Sequence, residues 1–434
     1  MKVVILAGGK GTRIASVASD IPKPMIKIAG VPVLEREIAC LREQGFTDIL
    51  LTVGHLGHII IDYFGDGSKI SPVTGKPFGV HIEYFVEEYP LGNAGALLRL
   101  QDVLTEDFLL LNGDAVFEID FNRFVQFHKQ KGGLVTLFTH PNSHPYDSGL
   151  VVTDKDGAVV QWLAKEDDRP KYYKNRVNAG LHVISPAVLK TPITTEKVDL
   201  DRQLLKPLAG TGKMFAYDSP EYVKDMGTAD RYATVCADYM EGRVQAKSLQ
   251  NKQKAIFLDR DGTINEYVGF LRDIDEFRLL DGVGQAIKKI NDSGYLAIVV
   301  TNQPVIARGE VTVEELDEIH RKMETLLAEY GAYVDGLYYC PHHPHRGYAG
   351  EVESLKIECD CRKPKAGMLY QAEQDFHIDL AKSWMIGDSD ADVLCGKTAG
   401  CKTAMLGQNA DADIQKKNLL QAVEEILGEH GGKN

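Results

Sequence analysis

The segment Phe257-Leu258-Asp259-Arg260-Asp261-Gly262-Thr263 sets two carboxylates two residues apart, directly after an apolar run. Two negative charges that close repel unless a cation lies between them or one carries a proton. A metal-assisted nucleophile beside a general acid needs that arrangement. Three other segments offer matching groups. Val299-Val300-Thr301-Asn302-Gln303 ends an apolar run in a hydroxyl, Arg362-Lys363-Pro364 supplies a lysine, and Ile386-Gly387-Asp388-Ser389-Asp390-Ala391-Asp392 ends another run in carboxylates. A second constellation opens the chain. In Leu6-Ala7-Gly8-Gly9-Lys10-Gly11-Thr12-Arg13 the glycines let the backbone approach a triphosphate, and successive N–H groups can point at its oxygens. The spacing is neither that of the P-loop nor that of the dinucleotide fingerprint. Ile21-Pro22-Lys23-Pro24-Met25 holds a lysine between two prolines, in a loop stiff enough to keep it near phosphates at little entropic cost. Asp114 follows Leu111-Asn112-Gly113 at the end of an apolar run, where a Mg²⁺ ligand would be placed, and Asp225 is a second carboxylate far along the chain.

The cysteines fall into two sets. Cys40, Cys236, Cys395 and Cys401 are scattered, whereas Cys340, Cys359 and Cys361 crowd one segment. No export signal precedes the first strand, so the crowded set is expected to bind metal in a reducing cytoplasm rather than to form disulfides. Cys340, His342, Cys359 and Cys361 supply the four nitrogen and sulfur ligands that Zn²⁺ takes, and His343 and His345 lie near enough to substitute. Arg362 and Lys363 follow Cys361 directly, so zinc would pin the loop that aims them.

These groups must be positioned by the elements around them. Short apolar strands alternate with helical patterns, which is the signature of α/β architecture. Strands are predicted at Lys2–Leu6, Ile49–Val53, Val80–Tyr84, Phe108–Leu111, Gly133–Thr139 and Ala179–Ile184, then at Ala255–Leu258, Leu296–Val300, Gly336–Tyr339 and Ser383–Ile386. A helix is predicted from Thr312 to Tyr330. Between the two groups, Met240 to Lys254 is polar and without apolar periodicity. That places a linker at residues 244–254, between domains at 1–243 and 255–434, each long enough for its own core. The 434 residues are 44% hydrophobic and 26% charged, which excludes collagen-like and low-complexity chains. No run of about 18 uncharged apolar residues offers a membrane span. With 62 acidic against 49 basic side chains the net charge is −13, so non-specific nucleic-acid binding is not expected. Anionic substrates must be held locally, by Arg, Lys, backbone N–H groups and metal ions.

The glycine loop, the Pro-Lys-Pro loop, Gly113-Asp114, Asn178-Ala179-Gly180 and Asp225-Met226-Gly227-Thr228 occur in the order found in the sugar-phosphate nucleotidyltransferases, which residues 1–242 resemble. The resemblance implies a Rossmann-like domain in which Leu6, Ala7, Gly8, Gly9, Gly11, Thr12 and Arg13 hold a triphosphate and Lys23 neutralises its α-phosphate. Asp114 and Asp225 would hold Mg²⁺, Gly92 and Asn93 would face the base, and Asn178 and Gly180 the sugar. Of the family's E-K-P segment, Ala164-Lys165-Glu166 keeps the lysine, and Lys165 is expected on the sugar phosphate.

From Ala255 the chain resembles the haloacid dehalogenase-like phosphatases, through D-x-D-G-T, T-N, K-P and G-D-x-x-x-D. This implies a second doubly wound α/β domain. Asp259 would be the nucleophile, Asp261 the acid and then the base, and Thr301, Asn302 and Lys363 the phosphoryl ligands, with Arg362 on the substrate. Mg²⁺ would take Asp259, the Asp261 carbonyl and Asp388, with Asp392 in support. Cys340-Pro341-His342, Cys359-Asp360-Cys361-Arg362-Lys363-Pro364 and Ile306-Ala307-Arg308-Gly309 resemble the heptose bisphosphate phosphatases, near relatives of the histidinol-phosphate phosphatases. Pro304-Val305 stands where that family usually has Ser-Gly. Together the resemblances imply a cytoplasmic bifunctional enzyme with Mg²⁺ at both sites and structural Zn²⁺. It would take the 7-phosphate from a heptose bisphosphate and transfer a nucleotidyl group, from GTP, to the remaining 1-phosphate. The rivals are a mannose or glucose 1-phosphate transferase fused to another small-molecule phosphatase, and a non-catalytic scaffold.

Overall fold

The central strands that lead into the predicted site residues carry apolar side chains on both faces, and both faces are covered. In the computed structural model, which describes residues 1–9, 20–193 and 195–428, the chain divides into two units. One comprises Met1–His140, Val151–Ala164 and Asn178–Ser248; the other comprises Pro141–Leu150, Lys165–Val177 and Leu249–Asn434.

The first unit is built on a nine-stranded mixed sheet. Val3–Leu6 lies at its centre, parallel to Asp48–Val53 on one side and to Phe108–Asn112 on the other. His81–Val86 continues the parallel side beyond Asp48–Val53, while Val177–Ile184 runs antiparallel to Phe108–Asn112. Alternate residues point to opposite faces of a strand. Val3 and Ile5 therefore join one core cluster with Leu109, Leu111, Ile49 and Leu51, and Val4 joins another with Phe108, Leu110 and Leu50. This two-sided burial explains why these strands read as continuous apolar runs.

The second unit holds a six-stranded parallel sheet in the order Gly336–Cys340, Tyr295–Asn302, Lys254–Leu258, Trp384–Gly387, Lys402–Leu406, Ile414–Lys416. The order is doubly wound, with the first strand in sequence next to the fourth, and the crevice where the order reverses is the usual ligand position. Ile256 and Leu258 pack into one cluster with Val299 and Ile386, while Ala255 and Phe257 pack into the opposite one with Ile298 and Met385. The helix predicted from Thr312 spans Val313–Ala328, and Thr312 and Glu315 form a reciprocal capping box at its start.

Each predicted strand is present to within one or two residues at either end, and both halves are α/β as expected; the structure adds strands that were not predicted, among them Ala115–Glu118, Met214–Asp218, Tyr222–Asp225 and Lys402–Leu406. The polar stretch after Met240 holds a short helix, Arg243–Ala246. Val244, Lys247, Ser248, Leu249 and Gln253 within it are buried. The two units divide between Ser248 and Leu249. No helix among the described residues is long and apolar enough to cross a membrane.

Candidate active sites

The first site forms where the central strand of the first sheet ends. Gly113 N donates to Leu6 O at 3.1 Å and Ala7 N to Thr52 O at 2.9 Å, which ties the start of the glycine turn to both neighbouring strands. A Cβ on Gly113 would stand 3.2 Å from Leu6 O and 3.0 Å from Ile5 Cγ2, so a larger residue would need its neighbours to give way by a few tenths of an ångström. Leu6, Ala7, Gly8 and Gly9 are therefore placed; Gly11, Thr12 and Arg13 lie outside the described residues. Lys23 begins a one-turn helix, Lys23–Met25, after an extended Pro22, and its Nζ meets Asp114 Oδ2 at 2.9 Å. A short antiparallel ribbon pairs Ala115–Glu118 with Tyr222–Asp225 and sets Asp225 opposite Ala115, beside Asp114. Asp225 accepts from Gly227 N at 2.7 Å and from Arg231 Nη1 at 2.8 Å. Two neighbouring carboxylates, each facing a cation, suit a divalent ion bound with phosphates.

Other predicted contacts serve the scaffold. Gly92 has φ +83°, and a Cβ there would strike Val198 O at 2.3 Å. Asn93 Oδ1 accepts from Leu200 N at 2.8 Å. This pair thus shapes the segment at 198–200, a role the sequence did not reveal. Asn178, Gly180 and His182 alternate along Val177–Ile184. Asn178 Oδ1 accepts from Gly180 N at 3.2 Å and contacts His182 Nε2 at 3.2 Å. Burial pushes His182 down to about 3, so its ring is neutral and Nε2–H donates. The four-residue spacing from Asn178, which puts both on one face of the strand, was the signal by which His182 could have been found. Glu37, also missed, is buried on the helix Val33–Glu43; burial and the charge of Asp114 raise it well above the ordinary carboxylate range. Lys165 is exposed and belongs to the segment Lys165–Val177 of the second unit.

The second site gathers at the ends of four parallel strands. Asp259 follows Lys254–Leu258, and its N–H donates to Ile386 O at 2.9 Å. Lys363 Nζ lies 2.7 Å from Asp259 Oδ1 and 2.6 Å from Asp392 Oδ1, with its side chain almost wholly buried. Asp392 also accepts from Ser389 N and Ser389 Oγ, at 3.1 and 2.6 Å. Asn302 clamps the backbone of Lys363 from both directions, Nδ2 donating to its carbonyl and Oδ1 accepting from its N–H, each at 3.0 Å. Asp259, Asp388 and Asp392 each offer an oxygen within 4.8 Å of the others.

Asp261 sits in a different field. Arg260, fully buried, donates from Nη2 to both Asp261 oxygens at 2.9 Å, and Asn265 and Gln303 add bonds of 3.0 and 2.9 Å. Gln303 Nε2 also donates to Thr301 Oγ1 at 2.8 Å. Burial alone would raise Asp261, but Arg260 and these amides outweigh it and hold the carboxyl below its ordinary range. Asp259 moves the other way: burial raises it, Asp392 and Asp261 add to that, and Lys363 opposes. His320 Nε2 accepts from Arg260 Nη1 at 3.1 Å, kept neutral by burial and by that guanidinium. Arg260 and His320 were not expected from the sequence, although the Arg within Asp-Arg-Asp was visible there. Pro304 occupies the first turn of a short helix, Pro304–Ala307, where no N–H is needed, so its departure from Ser-Gly is absorbed by the backbone.

Cys340, His342, Cys359 and Cys361 converge as expected. The three sulfurs lie 3.2–3.5 Å apart, and His342 Nδ1 is 3.3 Å from Cys361 Sγ and 3.7 Å from Cys340 Sγ. A tetrahedron with Zn–S bonds near 2.3 Å has edges of about 3.7 Å, so the four groups fit around one such ion. All seven cysteines are free thiols. Arg362, next to Cys361, donates from Nη1 to His342 O at 3.3 Å.

The nucleotidyl transferase family model matches residues 2–242, and the HAD-hydrolase-like model matches residues 360–424. A D-glycero-beta-D-manno-heptose-1,7-bisphosphate 7-phosphatase from Haemophilus ducreyi is 46% identical over 169 residues, 38% of this chain and 90% of that protein. Its counterpart from Pasteurella multocida is 44% identical over 179 residues, 40% of this chain and 95% of that protein. Among solved structures, HddC from Yersinia pseudotuberculosis aligns with a TM-score of 0.46 at 27% identity, covering 55% of this chain and 99% of that one.

Gly262 tests the second site's geometry. It has φ +83°, and an added Cβ would come within 2.1 Å of Asp388 Oδ2. Gly262→Ala must therefore displace the carboxylate cluster. A misplacement of about 1 Å can cost about 10²-fold in rate, and phosphatase turnover should fall by at least that much. Near-normal turnover would mean that Asp388 is not part of the machinery.

Proposed function

The chain belongs to the nucleotidyl transferase family over its first half and to the heptose-1,7-bisphosphate 7-phosphatase family over its second, and we propose that it is a bifunctional enzyme of nucleotide-heptose synthesis. The second domain removes the 7-phosphate of D-glycero-D-manno-heptose 1,7-bisphosphate. The first transfers a nucleotidyl group, in our reading guanylyl from GTP, to the heptose 1-phosphate, releasing pyrophosphate. The observation that carries the reading is the buried set of Asp259, Lys363 and Asp392 beside an arginine-clamped Asp261 and four converging candidate metal ligands, in a chain whose first half holds Lys23 against Asp114 past the end of its central strands. Sugar phosphates and a nucleoside triphosphate are the substrates, and the cytoplasm is where both are found.

In the phosphatase, Asp259 attacks phosphorus, a P–O bond forms to its carboxylate, and the bond to the sugar oxygen breaks. Asp261 gives that oxygen a proton. In the free site Arg260, Asn265 and Gln303 hold Asp261 ionised, so the proton is taken up as the phosphate's negative charge arrives beside it. The same three groups then favour the carboxylate that removes a proton from the attacking water in the second step. Thr301, Asn302 and Lys363 orient the phosphoryl group, and Arg362 contacts the substrate. Asp259, the Asp261 carbonyl and Asp388 would hold Mg²⁺, which would supply charge neutralisation there, and Cys340, His342, Cys359 and Cys361 would hold Zn²⁺ that fixes the loop. In the transferase, a sugar phosphate oxygen attacks the α-phosphorus, and positioning and charge do most of the work. Lys23, held beside Asp114, and Arg13 neutralise the approaching anions. Asp114 and Asp225 would hold Mg²⁺.

Separate sites should give separable losses. Asp114→Ala should abolish nucleotidyl transfer and spare phosphate release, Asp259→Asn should do the reverse, and a mixture of the two variants should restore nucleotide-heptose formation from bisphosphate and GTP. A mixture that stays inactive, with each remaining activity intact, would refute freely released heptose 1-phosphate. Purified protein should contain about one zinc per chain, and Cys359→Ser should lose it along with most phosphatase activity while transferase activity persists. Full phosphatase activity in zinc-free protein would sink the zinc assignment. Finally, the raised Asp259 carboxyl must lose its proton to ligate Mg²⁺. Below its raised value each pH unit should weaken Mg²⁺ binding to the phosphatase by up to about tenfold, the effect of one competing proton. Titration calorimetry that finds a pH-independent affinity between weak acid and neutrality would contradict this.

A further inference from the structure

Arg176 and Glu324 form an ion pair at 3.2 Å, and each is only 5% exposed. Arg176 lies within the stretch that the nucleotidyl transferase model matches, yet it belongs to the second unit. Glu324 stands on the helix Val313–Ala328 of that unit. Burying two charges is expensive unless their geometry is good and further hydrogen bonds satisfy them. Here the backbone supplies those bonds. Asn175 N donates to the same Glu324 oxygen at 2.9 Å, and Arg176 Nη1 also donates to Asn175 O at 2.8 Å. One residue further along the helix, Thr325 Oγ1 accepts from Tyr173 N at 2.9 Å. The Asn175 side chain bonds the backbone of Asn142 in both directions, accepting at 3.1 Å and donating at 2.7 Å. The helix is thus held by a braced piece of chain that the first half of the sequence supplies.

The same helix carries His320, four residues before Glu324. Residues four apart stand one turn from each other on one face of a helix. His320 is buried, and its Nε2 accepts from Arg260 Nη1 at 3.1 Å. Arg260 Nη2 donates to both oxygens of Asp261 at 2.9 Å. A continuous path of polar contacts therefore runs from Arg176 through Glu324, one helical turn, His320 and Arg260 to the carboxylate that serves as acid.

The rest of the helix's packing leaves its exact height open. Ile319, Met323 and Leu327 join the apolar core, and apolar contacts are non-directional, so they permit a small slide or roll. Hydrogen bonds are directional and weaken steeply off their axis. The bonds at Glu324 and Thr325, with Lys322 Nζ donating to Ile274 O at 2.7 Å, are what fix the position at which His320 meets Arg260.

We propose that Arg176 is a positioning residue for the phosphatase: its pair with Glu324 sets the helix that, through His320 and Arg260, aims Asp261 at the leaving oxygen. The proposal rests on the reading above in which Asp261 protonates that oxygen. Its test uses the full chain and two substrates that differ in their need for a proton. A sugar oxygen leaves only when protonated, whereas p-nitrophenolate leaves without a proton. The value of kcat/KM reports the step in which the leaving group departs and not the later attack of water. Arg176→Met should lower kcat/KM for heptose 1,7-bisphosphate by about 10–100-fold, the cost of a misplacement of up to about 1 Å, and should change kcat/KM for p-nitrophenyl phosphate little. Glu324→Gln should show the same pattern. Because the two side chains act as one unit, the double variant should be no worse than the worse single one. Arg176→Lys keeps the charge without the planar fork; it should show a smaller loss of the same kind, and it decides the matter if the methionine variant does not fold. A parallel fall for both substrates, no change in either, or additive losses in the double variant overturns the proposal. Asp261→Asn is the control for the reading beneath it. If that variant separates the two substrates and Arg176→Met does not, the proposal alone falls. If Asp261→Asn lowers both equally, Asp261 is not the leaving-group acid, and both fall.

Discussion

A single buried ammonium allows the second site to exist. Asp259, Asp388 and Asp392 present oxygens within 4.8 Å of one another, two of them on buried residues. At an effective dielectric of 20, two unit charges 4 Å apart repel by about 4 kcal/mol. Lys363 stands between Asp259 and Asp392 and offsets that repulsion. Burial works against its own charge, but the same two carboxylates outweigh the effect and raise it above the ordinary lysine range. Much of the surrounding structure aims this one side chain, from Asn302 on its backbone to the cysteine-rich loop that leads into it. The first site uses the same device more mildly. Lys23 and Asp114 pair with side chains 13% and 34% exposed, so water shares the screening.

Both halves place their charges at the same topological point. In each sheet the first strand in sequence lies between two parallel neighbours, one contributed early and one late. Leu6 and Gly113 meet in the first unit, and Asp259 and Ile386 in the second. Strands with apolar residues on both faces leave no room for charge along their length, so functional groups collect just past the ends, where helices and turns expose backbone N–H groups and carboxylates can reach water or a metal.

This rule is why so much was legible in the sequence. A buried strand announces itself as an apolar run, and the residues just past that run are where a polar group stands out. The carboxylates of Asp114, Asp259 and Asp388 and the hydroxyl of Thr301 were all found in that way. The cysteine set was legible because few residue types ligate zinc and because four of them crowd a short segment. His320 was not legible, because its importance depends on burial and on Arg260, a partner 60 residues away in the chain. Arg260 and His182 stand close in sequence to Asp261 and Asn178, but that both are buried emerges only in the fold. Asn93 and Gly92 show a complementary difficulty. Their motif was plain, but the backbone they support, near Val198 and Leu200, could only be seen once folded. The polar stretch beyond Met240 looked solvated because its apolar residues are few, yet Val244 and Leu249 are buried.

The placement of Lys363 also bears on how the chain comes off the ribosome. Synthesis delivers segments in order, and domains tend to fold as they emerge. The central strand Lys254–Leu258 appears early in the second domain, but two of its neighbours at the site, Lys363 and Trp384–Gly387, appear only near the end. Until then an apolar strand with an unpaired edge is exposed, followed by acids that lack their counter-ion. Such an intermediate can collapse on its hydrophobic faces but cannot close its active end. The charged cluster can therefore be completed only after Lys363 and Trp384–Gly387 have been synthesised, however early its first acid is made.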